Sequence, residues 1–151
     1  MAVKLEGAHL ETVKKLVNSG IPVMGHLGLT PQSMHQLGGY KVQGRTDGDV
    51  ILEAAKALEA AGAFAIVLEL VPAELAARIT AALMIPTVGI GAGVNCDAQV
   101  LVWTDLMGIT KKAPKLAKAY RNLRAEMVAA AGEFADDVRQ GQFPTEAQSF
   151  N

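Results

Sequence analysis

Three stretches of this chain are variations on one pattern: a short apolar run, opened by a glycine in the first two, then polar or glycine residues where the run ends. They are SGIPVMGHLG at 19–28, AGAFAIVLELVP at 61–72 and LMIPTVGIGAG at 83–93. The apolar run is continuous rather than alternating, which is the pattern of parallel strands covered on both faces. Between them the spacing turns helical. Residues 9–18 carry Leu10, Val13, Leu16 and Val17 on one face, with Ser19-Gly20 as the stop. From Asp49, Ile51, Ala55, Leu58 and Ala61 or Gly62 share a face, with Asp47 or Asp49 to cap and Gly62 to end the helix. Pro72 opens another helix, with Glu74 in its first turn and Leu75, Ile79, Ala82 and Leu83 on one side.

The remaining segments are less regular. Residues 3–6 read as the end of a strand, and 99–103 (QVLVW) as one more short strand. From 114 to 141 the positions Leu116, Tyr120, Leu123, Met127, Ala131, Phe134 and Val138 keep a helical period, with Gly132 as a place for a break. Residues 27–48 have no period and are rich in Gly, Gln, Thr and Pro, so they predict a long functional loop. The tail from Gln142 is a loop.

Alternating strands and helices predict an α/β fold with a parallel sheet. Polar residues close several different strands instead of flanking one switch point, which favours a β/α barrel over an open doubly wound sheet. A complete barrel takes ~250 residues, and this chain of 151 supplies about four or five strand units. The expected domain is therefore 1–151, a single partial barrel.

Composition narrows the function by exclusion. With 14 basic and 15 acidic residues there is no electrostatic case for nucleic acid or an anionic membrane. The lone cysteine, Cys96, excludes an intrachain disulfide framework and suits a reducing compartment. No apolar run approaches the ~20 residues of a membrane span, and MAVKLEG lacks a signal-peptide pattern. The expectation is a soluble, cytoplasmic protein.

Glu69 is the leading chemical candidate. It follows Ala65–Leu68 at the C-terminal end of a buried strand, where a carboxylate is costly unless paired or used. It reads either as a base or as a partner of a nearby helix or cation. Lys4 and Glu6 lie two apart and so on one face of a strand. They suit an anionic substrate group and a divalent cation respectively, or a simple salt bridge. His26 ends IPVMGH and is placed either to donate to a carboxylate or carbonyl or to sit as a satisfied polar residue. His9 and His35 read as surface. GIGAG at 89–93 lacks the dinucleotide spacing and reads either as backbone N–H groups offered to an anion or, in preference, as close strand–helix packing. GGYKVQGR at 38–45 reads as a clamp or a packed loop. No Ser-His-Asp, Cys-His or zinc spacing is present.

In order, KLEG at 4–7, GHLGLTPQS at 25–33, LGGYKVQGR at 37–45, LEAAGAF at 58–64, LELVPAELA at 68–76 and IPTVGIGAG at 85–93 resemble the ketopantoate hydroxymethyltransferase (3-methyl-2-oxobutanoate hydroxymethyltransferase) family. The likeness continues through QVLVW and PKLAK to FPTEAQSF. It implies part of a TIM (β/α)8 barrel, from about the end of strand 4 to strand 8 with the C-terminal helices. It also implies hydroxymethyl transfer from 5,10-methylenetetrahydrofolate to 3-methyl-2-oxobutanoate, giving 2-dehydropantoate in pantothenate biosynthesis. Glu69 would be the proton acceptor, Lys4 and His26 substrate-binding, and Glu6 part of a Mg2+ shell that stabilises the enolate. The resemblance further implies a homo-oligomer, or pairing with a missing N-terminal half. Two Asp ligands and a Ser of the family lie on earlier strands with no counterpart here. One Glu leaves Mg2+ short of oxygens. Ala8 and Ala98 replace usual glycines, and Thr104 replaces a common His. The expected isolated chain is therefore weakly active or inactive, with a non-catalytic half-barrel that assembles with another chain as the alternative.

Overall fold

The computed structural model describes residues 1–35 and 38–150. Leu37, the first residue of the LGGYKVQGR motif, lies outside the described residues. Two compact units are present, Met1–Val100 and Leu101–Asn151.

The first unit holds five strands, β1 (Val3–Glu6), β2 (Val23–Gly28), β3 (Ala65–Glu69), β4 (Thr87–Ile90) and β5 (Ala98–Gln99). Helices α1 (Leu10–Asn18), α2 (Gly48–Ala60) and α3 (Ala73–Ala82) connect the first four. All pairings are parallel, and the sheet order is β1-β2-β3-β4-β5. Strands adjacent in sequence are adjacent in space, with none of the order reversal that makes a doubly wound fold. This is the arrangement expected of one side of a β/α barrel.

Register explains the unbroken apolar runs. Val23, Leu27, Ile66 and Leu68 pack with Val13, Ala55, Leu58, Leu75, Ala76 and Ile79 from the helices. Each fully buried Ile or Leu here contributes roughly 1.5–3 kcal/mol through apolar transfer. The neighbouring residues point to the opposite face. Glu6, His26, Val67 and Val88 align across four strands, and Gly28, Glu69 and Ile90 align one step further along. Ala65, Val67 and Ile90 on that face are also buried, so its polar groups are Lys4 and Glu6 of β1, His26 of β2 and Glu69 of β3.

At the other end of β4 a buried hydroxyl organises the turn into β5. Asp97 Oδ2 accepts from Thr87 N–H at 2.8 Å and Thr87 Oγ1 at 3.0 Å, while Thr87 Oγ1 lies 2.8 Å from Thr80 Oγ1. The Thr87 backbone and hydroxyl bonds hold the Asp97 carboxyl below the ordinary carboxylate range. The glycines at 89–93 serve packing. A Cβ on Gly93 would sit 2.5 Å from Ala73 Cβ, and one on Gly89 would sit 3.0 Å from Cys96 Sγ.

Two sequence expectations change. The strand expected over 99–103 is only the two residues of β5, continued by one bond from Val100 N–H to the Gly89 carbonyl. β4 ends at Ile90, so the ladder has no further partner, and Trp103 instead starts helix α4 (Trp103–Leu106). In the second unit the helix expected over 114–141 covers only α5 (Leu123–Gln140). Tyr120, Leu123 and Arg124 direct their N–H groups to the carbonyls of Leu106, Met107 and Gly108. Asn122 then starts the helix by accepting from Ala125 N–H. Gly132 does not break it. Among the described residues no helix is long and apolar enough to cross a membrane.

Candidate active site

Three strand ends bring the candidate residues together, because parallel strands present all their C-terminal ends on one side of the sheet. Lys4 and Glu6 come from β1, His26 from β2 and Glu69 from β3. His26 is the centre of the group and is 1 % exposed. Its Nδ1 lies 3.0 Å from Lys4 Nζ and 3.8 Å from Glu6 Oε1. Its Nε2 lies 3.1 Å from Glu69 Oε2 but makes no aligned hydrogen bond. The Glu6 and Glu69 side chains are only 12 % and 13 % exposed. Each carboxylate is therefore sunk in the mouth of the sheet with an edge open to solvent. A buried imidazole between an ammonium and two carboxylates is a set of groups that can bind an oxo acid and move a proton.

The backbone holds the three strand ends in register past the strands themselves. Gly7 N–H donates to the His26 carbonyl (2.9 Å), Leu29 N–H to the Glu69 carbonyl (2.8 Å), and Leu70 N–H to the Ile90 carbonyl (2.9 Å). Gly28, with φ +90°, permits the second contact. A Cβ there would overlap the Glu69 carbonyl and lie 2.7 Å from Val71 Cγ1. Leu70 adopts φ +47°, a left-handed conformation that costs a leucine roughly 1–2 kcal/mol. The strain falls on the residue directly after the candidate base.

Two of these features escape sequence reasoning. Gln32 donates its backbone N–H to Glu6 Oε2 at 3.0 Å, a contact with no side-chain signature. Leu70 would need a glycine or asparagine to announce its conformation. The other candidates separate cleanly. His9 and His35 are exposed, as expected. The 38–45 loop is packed in place by Gly44 against Leu75 and Ile51, and Gln43 N–H donates to the Leu70 carbonyl at 2.8 Å. A hollow of about 640 Å³ opens beside this loop, lined by Arg45, Asp49, Glu74 and Arg78 among others. None of Lys4, Glu6, His26 or Glu69 lines it.

The fit of a divalent cation is poor. Among the described residues no three His, Cys, Asp or Glu side chains come close enough to hold a metal ion. One oxygen of Glu6 already accepts from Gln32 N–H. A hard cation needs several oxygens in near-octahedral array.

A sequentially ordered parallel sheet with two carboxylates, an imidazole and an ammonium gathered at its C-terminal edge is of the β/α-barrel class. Comparison with known proteins makes this particular. The family described as Ketopantoate hydroxymethyltransferase matches residues 1–146, and the chain belongs to it. Curated relatives called 3-methyl-2-oxobutanoate hydroxymethyltransferase are 58 % identical in Moorella thermoacetica and 58 % in Acidothermus cellulolyticus, each over 99 % of this chain. One from Thermobifida fusca is 52 % identical, again over 99 % of it. The alignments cover 57 %, 56 % and 55 % of those relatives, so the chain spans a little over half their length.

Proposed function

We propose that this chain carries the proton-transfer half of a site that moves a hydroxymethyl group from 5,10-methylenetetrahydrofolate to 3-methyl-2-oxobutanoate, giving 2-dehydropantoate. The observation that carries the reading is Glu69, sunk at the end of β3 within 3.1 Å of His26 and facing the strand ends that hold Lys4 and Glu6. The names of the relatives supply the reaction class.

In this reading the Glu69 carboxylate takes the proton from the carbon beside the ketone. Lys4 keeps two N–H donors beyond the one directed at His26, enough to hold the oxo-acid carboxylate and offset the charge that develops on the keto oxygen. His26 is within reach of the same substrate. The enolate carbon then forms a C–C bond to the one-carbon unit as its two bonds to the folate nitrogens break; water supplies the hydroxyl oxygen, and its second proton and the one taken by Glu69 return to those nitrogens, releasing tetrahydrofolate. Mg2+ bound in the manner the family implies would draw on Glu6, but the residues present do not complete its shell. Further oxygens must come from outside these residues, and the 151 residues alone should turn over weakly or not at all.

A second reading also has an observation behind it. β1 and β5 are the edges of the open sheet, and an unpaired edge invites pairing with another chain. That reading makes the chain an assembly module.

The test is to assay 2-dehydropantoate formation with Mg2+, oxo acid and methylenetetrahydrofolate. It is run with the chain alone and with a chain covering the part of the relatives that this one does not match. The transferase reading expects turnover in the assembled form and its loss, by at least ~100-fold, in Glu69→Gln. Assembly without any turnover supports the module instead.

A further inference from the structure

We infer that Lys4 fixes which nitrogen of His26 carries the ring hydrogen, making His26 a positioning residue that presents Nε2–H to the Glu69 carboxylate. The role given to Glu69 rests on the transferase reading; the state of the imidazole does not.

The argument is one of donors and acceptors. A lysine ammonium has three N–H donors and no acceptor. Lys4 Nζ stands 3.0 Å from His26 Nδ1, so that nitrogen must offer its lone pair and cannot carry the hydrogen. A neutral imidazole has one hydrogen to place, and it falls on Nε2. The opposite side of the ring agrees with this. Nε2 faces Glu69 Oε2 at 3.1 Å, and an ionised carboxylate only accepts. Two nitrogens facing two partners of opposite kind leave one consistent arrangement.

Burial makes this arrangement persistent. His26 is 1 % exposed, so water has little access to either nitrogen. The groups around it comprise one ammonium, Lys4, and two carboxylates, Glu6 and Glu69. Glu6 at 3.8 Å is too far from Nδ1 to compete with Lys4 as a bonding partner.

The consequence concerns the candidate base. Nε2 lies close to Oε2 yet off the line of a good hydrogen bond, so it is a buried donor without an aligned acceptor. Such a donor is stabilised by whichever oxygen comes into line. A small rotation of Glu69 satisfies it and orients that carboxylate, while a bound oxo acid can take the same N–H and leave the carboxylate free to accept a proton. His26 thus positions Glu69 between turnovers and the substrate during them.

The test uses 15N-labelled chain at one mildly alkaline pH and reads long-range 1H–15N imidazole correlations. Three histidines are present, His9, His26 and His35; the exposed His9 and His35 serve as internal references, and His26→Gln assigns the third. The expected spectrum shows His26 as a single tautomer, with hydrogen on Nε2 and a pyridine-type Nδ1. Lys4→Met, which removes the donor and keeps the stem, should shift His26 toward an averaged tautomer pattern, whereas Lys4→Arg should keep it. Hydrogen on Nδ1, a doubly protonated ring, or averaging in the unsubstituted chain overturns the inference, as does an unchanged spectrum in folded Lys4→Met. The unsubstituted spectrum decides the tautomer even if a variant fails to fold. It also decides it in a chain without turnover, so failure of the transferase reading remains separate.

Discussion

Replacing Gly28 by alanine tests whether the contact between the ends of β2 and β3 builds the site. The added Cβ would overlap the Glu69 carbonyl and approach Val71 Cγ1 to 2.7 Å, at a position with φ +90°. The left-handed backbone costs alanine roughly 1–2 kcal/mol. Relieving the overlap in a packed region adds about 1–3 kcal/mol. Losing the 2.8 Å bond from Leu29 N–H to the Glu69 carbonyl adds about 1 kcal/mol. The sum is roughly 3–6 kcal/mol, against which lowered unfolded-state entropy returns about 0.4–1 kcal/mol. Gly20→Ala is the internal control, because Gly20 has φ +79° and open space where its Cβ would go. It should cost no more than about 1–2 kcal/mol. Urea unfolding of both variants against the unsubstituted chain gives the two values. Thermal melts should separate the variants by several degrees, at about 2–4 °C per kcal/mol for a chain of this size. Equal losses at positions 20 and 28 would refute the claim that a tight β2–β3 approach sets the place of Glu69.

Three other outcomes follow from the same geometry. Because hydrogen bonds from Thr87 lower the folded-state value of Asp97 below 3.8, that contribution is present above this pH and disappears as pH falls through the folded value. Urea midpoints should therefore fall more as pH is lowered below about 4 in the unsubstituted chain than in Asp97→Asn. Thr87→Val, which strips the buried hydroxyl from both Asp97 and Thr80, should cost about 1–3 kcal/mol at neutral pH; a neutral result would show that the network contributes nothing. Leu70→Gly should stay within about 1 kcal/mol of the parent, because glycine accepts the left-handed turn, while Leu70→Val should lose at least that much. Equal denaturant midpoints for the two Leu70 variants would argue against strain at that residue.

The sequence by itself determined the local elements and the chemical cast. Continuous apolar runs at 21–26, 65–68 and 85–90 marked strands covered on both faces, and helical spacing marked α1, α2 and α3, because burial imposes its period on whatever segment supplies it. The ends of the first two runs pointed to His26 and Glu69, since a carboxylate or imidazole at the close of a buried strand demands a partner, and the i,i+2 spacing of Lys4 and Glu6 placed that pair on one face of a strand. Where burial is weak, pattern misleads. The apolar positions over 114–122 carry a helical period, yet that segment lies outside α5, because backbone bonds to 106–108 and the Asn122 cap decide where the helix begins. QVLVW likewise loses its strand once β4 runs out of partners.

Only the tertiary structure decided what the candidates do to one another. Sheet order places residues 22 and 43 positions apart side by side, with Lys4 and Glu69 on either side of His26. The left-handed turn at Leu70, the bare Cα of Gly28 against a carbonyl, and the Gln32 amide on Glu6 are matters of backbone direction. Backbone direction has no letter in the sequence, whereas burial and charge do, and that is why the residues could be read in advance and their arrangement could not.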